Sequence, residues 1–217
     1  MRFHEYLPPQ FVVAGTDTGV GKTLVSAMLA AGLDASYWKP IQSGLVGMTD
    51  TEVVRSLSGL PVDSFLPEAY RLGTPISPHA SAALDGVVIE LTHLRLPQVK
   101  GRLIIEGAGG LMVPINDRAL LIDVIRDWGL PVLLVARSRL GTINHTLLSL
   151  AALRSYGIGV VGVVMNGGSD AVSRRAIEFY GRVMVLAEIP ILPELNSVSI
   201  QTAFTTLFDD TFFQQES

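Results

Sequence analysis

The 217-residue chain is 48% apolar and 17% charged, enough apolar material for a sizeable core; its 16 basic and 20 acidic side chains leave a formal charge of −4, too mild to indicate a nucleic-acid or membrane-surface partner. The absence of cysteine excludes a disulfide framework, a thiolate metal site and a cysteine nucleophile. No apolar run approaches the ~18 residues of a membrane span, and the opening "MRFHEYLPPQ" lacks an apolar signal region, so a soluble cytoplasmic protein is expected.

In chain order, apolar runs rich in Val and Ile at 11–15, 37–41, 102–107, 131–137, 159–166 and 183–190 read as strands. Helical patterns fall between them at 22–32, 50–58, 81–95, 119–127, 142–156 and 171–181. The strands are continuously apolar rather than alternating, which is the pattern of a parallel sheet covered on both faces. Strand–helix repetition of this kind predicts an α/β fold: a doubly wound, mostly parallel sheet with helices on both faces. Neither a repeat nor a linker is visible, so one domain is expected over 1–217. The proline-bearing stretch 59–80 reads as a long loop, a feature that in compact domains is often functional.

Ligands of such sheets sit beyond the carboxyl ends of the strands. The residues expected there are the loop "GTDTGVGKT" (15–23), Lys39, Glu106 followed by "GAGG", Arg137 and Asn166. Cations, an acid and an amide converge, as a metal-bound polyphosphate requires. The loop misses the pattern G-x-x-x-x-G-K-[ST] by one place, with Gly15 where Thr16 should be the glycine. Gly15, Gly19 and Gly21 still allow close approach of backbone N–H groups to an anion, Lys22 would reach the terminal phosphates, and Thr23 would offer a hydroxyl to Mg²⁺. A glycine-rich turn with a solvated lysine is the alternative; the adjacent GKT between strand and helix favours phosphate.

Glu106 ends a strand where nucleotide enzymes hold Mg²⁺. Asp50 suits a metal or a helix N-cap equally, whereas Glu52 reads as a solvated helix residue. Lys39, between Trp38 and Pro40, needs an anionic partner if it is buried. Arg137 and Arg139 are either further anion contacts or ordinary loop cations. In "GTINHT" (141–146) the free N–H groups of a helix start could take a carboxylate or phosphate, and Thr142 or Asn144 could simply cap it. His79 and His145 have no partner at metal-ligand spacing, and His4 and His93 look like surface residues.

"GTDTGVGKT", "WKPIQSG", "SPHAS", "EGAGGLMVPI", "LGTINHTLLS", "VVMN" and "AEIP" occur in this order from about residue 11 to 195. Together they resemble the dethiobiotin synthetase family, a branch of the P-loop proteins with a shifted loop glycine. The resemblance implies conversion of 7,8-diaminononanoate (diaminopelargonate), CO₂ and ATP to dethiobiotin, ADP and phosphate in biotin biosynthesis. It assigns catalysis to Lys39, Lys22 and Thr18, and nucleotide binding to Gly19, Val20, Gly21, Lys22, Thr23, Asn166 and Pro190. Mg²⁺ would be held through Thr23, Asp50 and Glu106. Substrate would meet Ser43 and the helix start at Gly141, Thr142 and Asn144, the latter supplied by the partner subunit of a homodimer, with Tyr180 a possible further contact. Two features depart from the family: position 19 is glycine where some relatives carry an acid, and the stretch before "RLIIEG" is short for a full helix.

Three other readings compete. A partitioning or septum-site ATPase switch shares the fold, but typically carries an early loop lysine ("KGGVGKT") where this chain has Thr16. A cobyrinate-type amidating synthetase would need a fused glutaminase domain with a cysteine nucleophile. A nucleotide-binding module without catalysis leaves "WKP" and "EGAGG" without a task.

Overall fold

The computed structural model describes residues 3–208; the tail "DDTFFQQES", considered from sequence as either disordered or packed near the nucleotide, lies outside them. After a short helix α1 (Phe3–Tyr6) come β1 (Gln10–Gly15), α2 (Lys22–Leu33), β2 (Ser36–Trp38), β3 (Ile41–Ser43) and α3 (Asp50–Ser58). Next are β4 (Phe65–Leu66), β5 (Tyr70–Leu72), α4 (Pro78–Leu84), β6 (Leu103–Gly110), α5 (Leu121–Trp128) and β7 (Val132–Arg137). The chain continues through α6 (Thr142–Ser155), β8 (Val160–Asn166), α7 (Ala171–Gly181), β9 (Val185–Ile189) and α8 (Ser197–Leu207).

Seven strands form one sheet in the order β4-β2-β6-β1-β7-β8-β9, and every pairing is parallel. Alternate residues of β1 enter opposite layers, Phe11 and Val13 one side, Val12 and Ala14 the other. The first layer is closed by Met28 and Leu29 of α2, Leu57 of α3 and Ile200 of α8; the second by Ile122 and Ile125 of α5, Leu153 of α6 and Ile177 of α7. Burial on both faces is why these strands are apolar throughout, and the expected doubly wound parallel sheet is what forms.

Several boundaries differ from the sequence reading. The strand expected at 37–41 is broken: Pro40 has no N–H to continue the ladder, so the chain leaves the main sheet after Trp38 and β3 pairs with β5 in a separate two-stranded sheet. The loop expected at 59–80 therefore contains β4 and β5. The helix expected at 81–95 instead starts with Pro78 at its first turn and stops at Leu84, because Gly86 (φ 67°) reverses the chain and Val87 N–H closes on Ala82 O at 2.8 Å. Helix α8 had no counterpart in the sequence reading; its signal is Asn196, whose side chain accepts from Ser199 N–H.

Candidate active site

The phosphate loop leaves β1 and enters α2 through Gly21, whose φ of 99° an L side chain rarely adopts; an added Cβ would also lie 2.1 Å from Asn166 Nδ2. The shifted glycine has a local reason too. A Cβ on Gly15 would come within 2.9 Å of Lys22 Nζ, which folds back to donate to Asp17 O at 3.2 Å. At the mouth, Arg137 pairs with Asp17 at 3.0 Å, and Asn166 Nδ2 donates to Val20 O at 3.0 Å.

Strand register brings in the acids. Tyr37 pairs with Ile104 and Trp38 with Ile105, so Lys39, one residue past β2, falls beside Glu106 of β6. The period of two puts Tyr37 and Lys39 on one face with Ile104 and Glu106, under the start of α2. Lys39 and Glu106 are only 4% and 1% exposed, so their charges need partners. Lys39 Nζ has three: Asp50 Oδ2 at 2.6 Å, Glu106 Oε1 at 3.0 Å and Gly107 O at 3.2 Å, one for each N–H it can donate. The Thr23 hydroxyl lies 3.0 Å from Glu106 Oε1 and 3.2 Å from Asp50 Oδ1, and its one proton serves either carboxylate. Glu106 Oε2 accepts from the Tyr37 hydroxyl at 3.0 Å.

Burial disfavours the Lys39 ammonium, but Glu106 and then Asp50 outweigh it and raise its pKa above the ordinary lysine value. Burial likewise opposes the Asp50 carboxylate, and Lys39 outweighs that, so its pKa is lowered. Lys22 has no such dedicated partner: burial first, then repulsion from Lys39, bring it down from 10.5 to about 8, against the pull of Glu106, Asp50 and Asp17. Lys22 thus sits in its pocket short of negative charge.

The N-cap of α3 is Thr49, not Asp50. Thr49 Oγ1 accepts from Glu52 N–H at 3.3 Å and Glu52 Oε2 accepts from Thr49 N–H at 2.7 Å, so Glu52, expected to be merely solvated, closes a capping box. Asp50 is left free for Lys39 and Thr23. Sequence reasoning missed Gln42, whose side-chain oxygen accepts from Asp50 N–H at 3.1 Å and docks α3 against the site. It also missed Tyr37, which the alternation Tyr37–Trp38–Lys39 could have placed.

A cleft of about 520 Å³ opens over these groups, lined by Thr18, Lys22, Lys39, Ser43, Asp50 and Glu106 together with Pro75 to Pro78. A second, of about 250 Å³, is bordered by Val20, Arg137, Arg139 and Asn166; Gly19 borders both. The Ser43 hydroxyl is buried with no hydrogen-bond partner among the described residues. Pro190 is exposed just past β9 and borders neither cleft. Gly141, Thr142 and Asn144 also lie outside both. No side chain caps α6: Gly141 holds its start at φ 93°, and the Thr142 hydroxyl is buried without a partner, so the capping role considered for Thr142 or Asn144 is not what forms.

An AAA domain family model matches residues 9–199. An ATP-dependent dethiobiotin synthetase BioD of Rhodopseudomonas palustris (strain BisB18) is 52% identical, with 94% of this chain and 97% of that one covered. The enzyme of the same description from Agrobacterium fabrum (strain C58) is 50% identical over 92% of this chain and 94% of that one. The chain belongs to the dethiobiotin synthetase family. Among solved structures, the septum site-determining protein MinD of Pyrococcus horikoshii OT3, complexed with Mg-ADP, superposes with a TM-score of 0.54 at 17% identity, covering 94% of this chain and 96% of that one. A ParA family ATPase from Chlorobium tepidum TLS gives 0.50 at 12% identity, covering 97% and 95%. These two share the synthetase's P-loop fold and carry no argument about its activity.

Proposed function

We propose that this chain is an ATP-dependent dethiobiotin synthetase, which closes the urea ring of dethiobiotin from diaminopelargonate and CO₂ and releases ADP and phosphate. The observation that carries the reading, beside family membership, is the set of buried Lys39 and Glu106 with half-buried Asp50 and Thr23, at the mouth of a phosphate loop whose own lysine lacks a dedicated counter-charge.

One substrate amine bonds to CO₂ and loses a proton, giving a carbamate. A carbamate oxygen then attacks the γ-phosphorus and ADP leaves. The second amine adds to the carbonyl carbon and loses a proton, the C–O bond to phosphate breaks, and the ring closes as phosphate leaves. Carbamate and triphosphate repel one another, so the site must supply positive charge where they meet. Lys22 would hold the terminal phosphates, and Lys39, at the floor of the same cleft, the oxygens passing between carbamate and phosphorus. Thr18 and Ser43 would add polar contacts from the cleft walls. Gly19, Val20 and Gly21 would present backbone to the phosphates, with Asn166 and the backbone near Pro190 at the base. Positioning and charge neutralisation then lower the barrier without a tuned general base.

Thr23, Asp50 and Glu106 fit Mg²⁺: all offer hard oxygen donors around one point, and Mg²⁺ is commonly held by one or two carboxylates plus substrate phosphates. Among the described residues no group of three or more His, Cys, Asp or Glu is placed to hold a metal ion, and substrate phosphates would complete the ligands. When bound, the ion would neutralise charge developing on the phosphoryl oxygens.

The substrate's far carboxylate would meet Gly141, Thr142 and Asn144 of a second copy, in a homodimer. Leu140 just before α6, Leu148 on α6, and Phe179 and Tyr180 on α7 are each more than 60% exposed, and the two α7 rings meet edge to face; exposed apolar side chains on these two helices support a partner surface there. No described helix is long and apolar enough to cross a membrane, in keeping with a one-domain cytoplasmic enzyme.

The test is ADP release from MgATP with diaminopelargonate and bicarbonate, each omitted in turn. Turnover is expected to need both co-substrates and to fall at least ~10²–10³-fold in Lys39→Ala, the cost of one lost transition-state donor. Slow hydrolysis indifferent to the diamine would instead favour the nucleotide-switch reading.

A further inference from the structure

The mechanism uses one oxygen of Glu106; the other is held from beneath the site. Tyr37 is fully buried, its ring 6.3 Å from that of Phe65, and its hydroxyl donates to Glu106 Oε2 at 3.0 Å. Glu106 Oε1 faces the opposite way, toward Lys39 and Thr23. A carboxylate with both oxygens free can turn and bind an ion by one or both; one oxygen tied to a phenol at the end of a packed aromatic side chain cannot turn without breaking a buried bond. A phenol keeps its proton at neutral pH and a carboxylate can only accept, so Tyr37 is the donor of this bond. A phenylalanine would fill the same space; only the hydroxyl has business with Glu106.

We propose that Tyr37 is a positioning residue that pins Glu106 by Oε2, so that Glu106 presents Oε1 alone to Mg²⁺ and Lys39. The inference rests on the reading above in which Glu106 faces the metal. It makes Glu106 a one-oxygen ligand, and it makes the spacing Tyr37–Trp38–Lys39 a device for holding one carboxylate from both sides by a single strand.

The experiment compares wild type, Tyr37→Phe and Glu106→Gln by calorimetric titration with ATP, in excess Mg²⁺ and in chelator, with melting temperature as the control for folding. Tyr37→Phe is expected to keep its metal-free ATP affinity within about twofold and to lose about tenfold of the tightening that Mg²⁺ gives, the usual scale for an outer-shell partner. Glu106→Gln is expected to lose that tightening altogether. If Tyr37→Phe retains full tightening while Glu106→Gln loses it, Tyr37 is only a core residue and the proposal falls. If neither variant moves it, the metal reading of Glu106 falls first. A second measurement needs no variant: the hydrogen-bonded Tyr37 hydroxyl proton, observed by NMR in ring-labelled wild type, should persist on adding MgADP. Its loss on binding would mean that Glu106 turns Oε2 to the metal, and would overturn the proposal.

Discussion

Lys22 and Lys39 share one pocket and are driven in opposite directions. Lys39 has gained partners, so the stability it contributes is present below the ordinary lysine pKa and is lost as pH rises through its raised folded value. Lys22 is the reverse: between about 8 and 10.5 the folded free protein binds fewer protons than the unfolded chain, so this group's contribution to stability rises with pH across that window. Phosphate supplies the missing counter-charge and should return the proton. ATP binding is therefore expected to take up one proton above about pH 8 and to weaken up to tenfold per pH unit there, as measured by calorimetry in buffers of different ionisation enthalpy. A pH-independent affinity from 7 to 9.5 would show that Lys22 holds its charge without phosphate.

At the scale of elements, the site depends on where strands and helices stop. Strand β2 ends at Trp38, Lys39 and Pro40 follow it out of the sheet, and the chain's departure carries Gln42 and Ser43 to the cleft. Helix α3 starts at Asp50 because Thr49, 2% exposed, and Glu52 form its cap. Thr49→Ala is expected to cost ~1 kcal/mol in denaturant unfolding, the usual value of a lost N-cap, and to weaken MgATP binding because Asp50 is the next residue. An unchanged unfolding midpoint would mean that Gln42 alone docks the helix. Most of these boundaries were legible: 50–58 and 171–181 were read as they stand, since caps and periodicity are local signals. The helix expected at 81–95 failed because its apolar residues serve the core without helical period; Ile89, 1% exposed, reaches it from a segment that is neither helix nor strand.

For the whole molecule, the unanswered surface is the α6–α7 side. Phe179 and Tyr180 are 76% and 69% exposed, and the helix start expected to hold the substrate carboxylate lies outside the cleft of its own chain. Phe179→Lys with Leu148→Lys is expected to convert a dimer to monomers in light scattering and to raise the KM for the diamine severalfold more than that for ATP. A wild type that is already monomeric and fully active would remove the second copy from the site.

The parallel sheet, the phosphate loop and the family were all legible in the chain, because continuous apolar runs, a GKT at a strand–helix junction and ordered short motifs are written locally. So was the need of a buried Lys39 for an anion. Which anion it finds is a matter of folding: parallel register set Lys39 beside Glu106, and the cap on Thr49 released Asp50 to meet them. Folding alone placed Tyr37 under Glu106 and kept Gly141, Thr142 and Asn144 away from the cleft. The contacts of Glu106 with Lys39 and Tyr37 join residues 67 and 69 positions apart in the chain, and a spacing read along one strand carries no record of which strand will lie beside it.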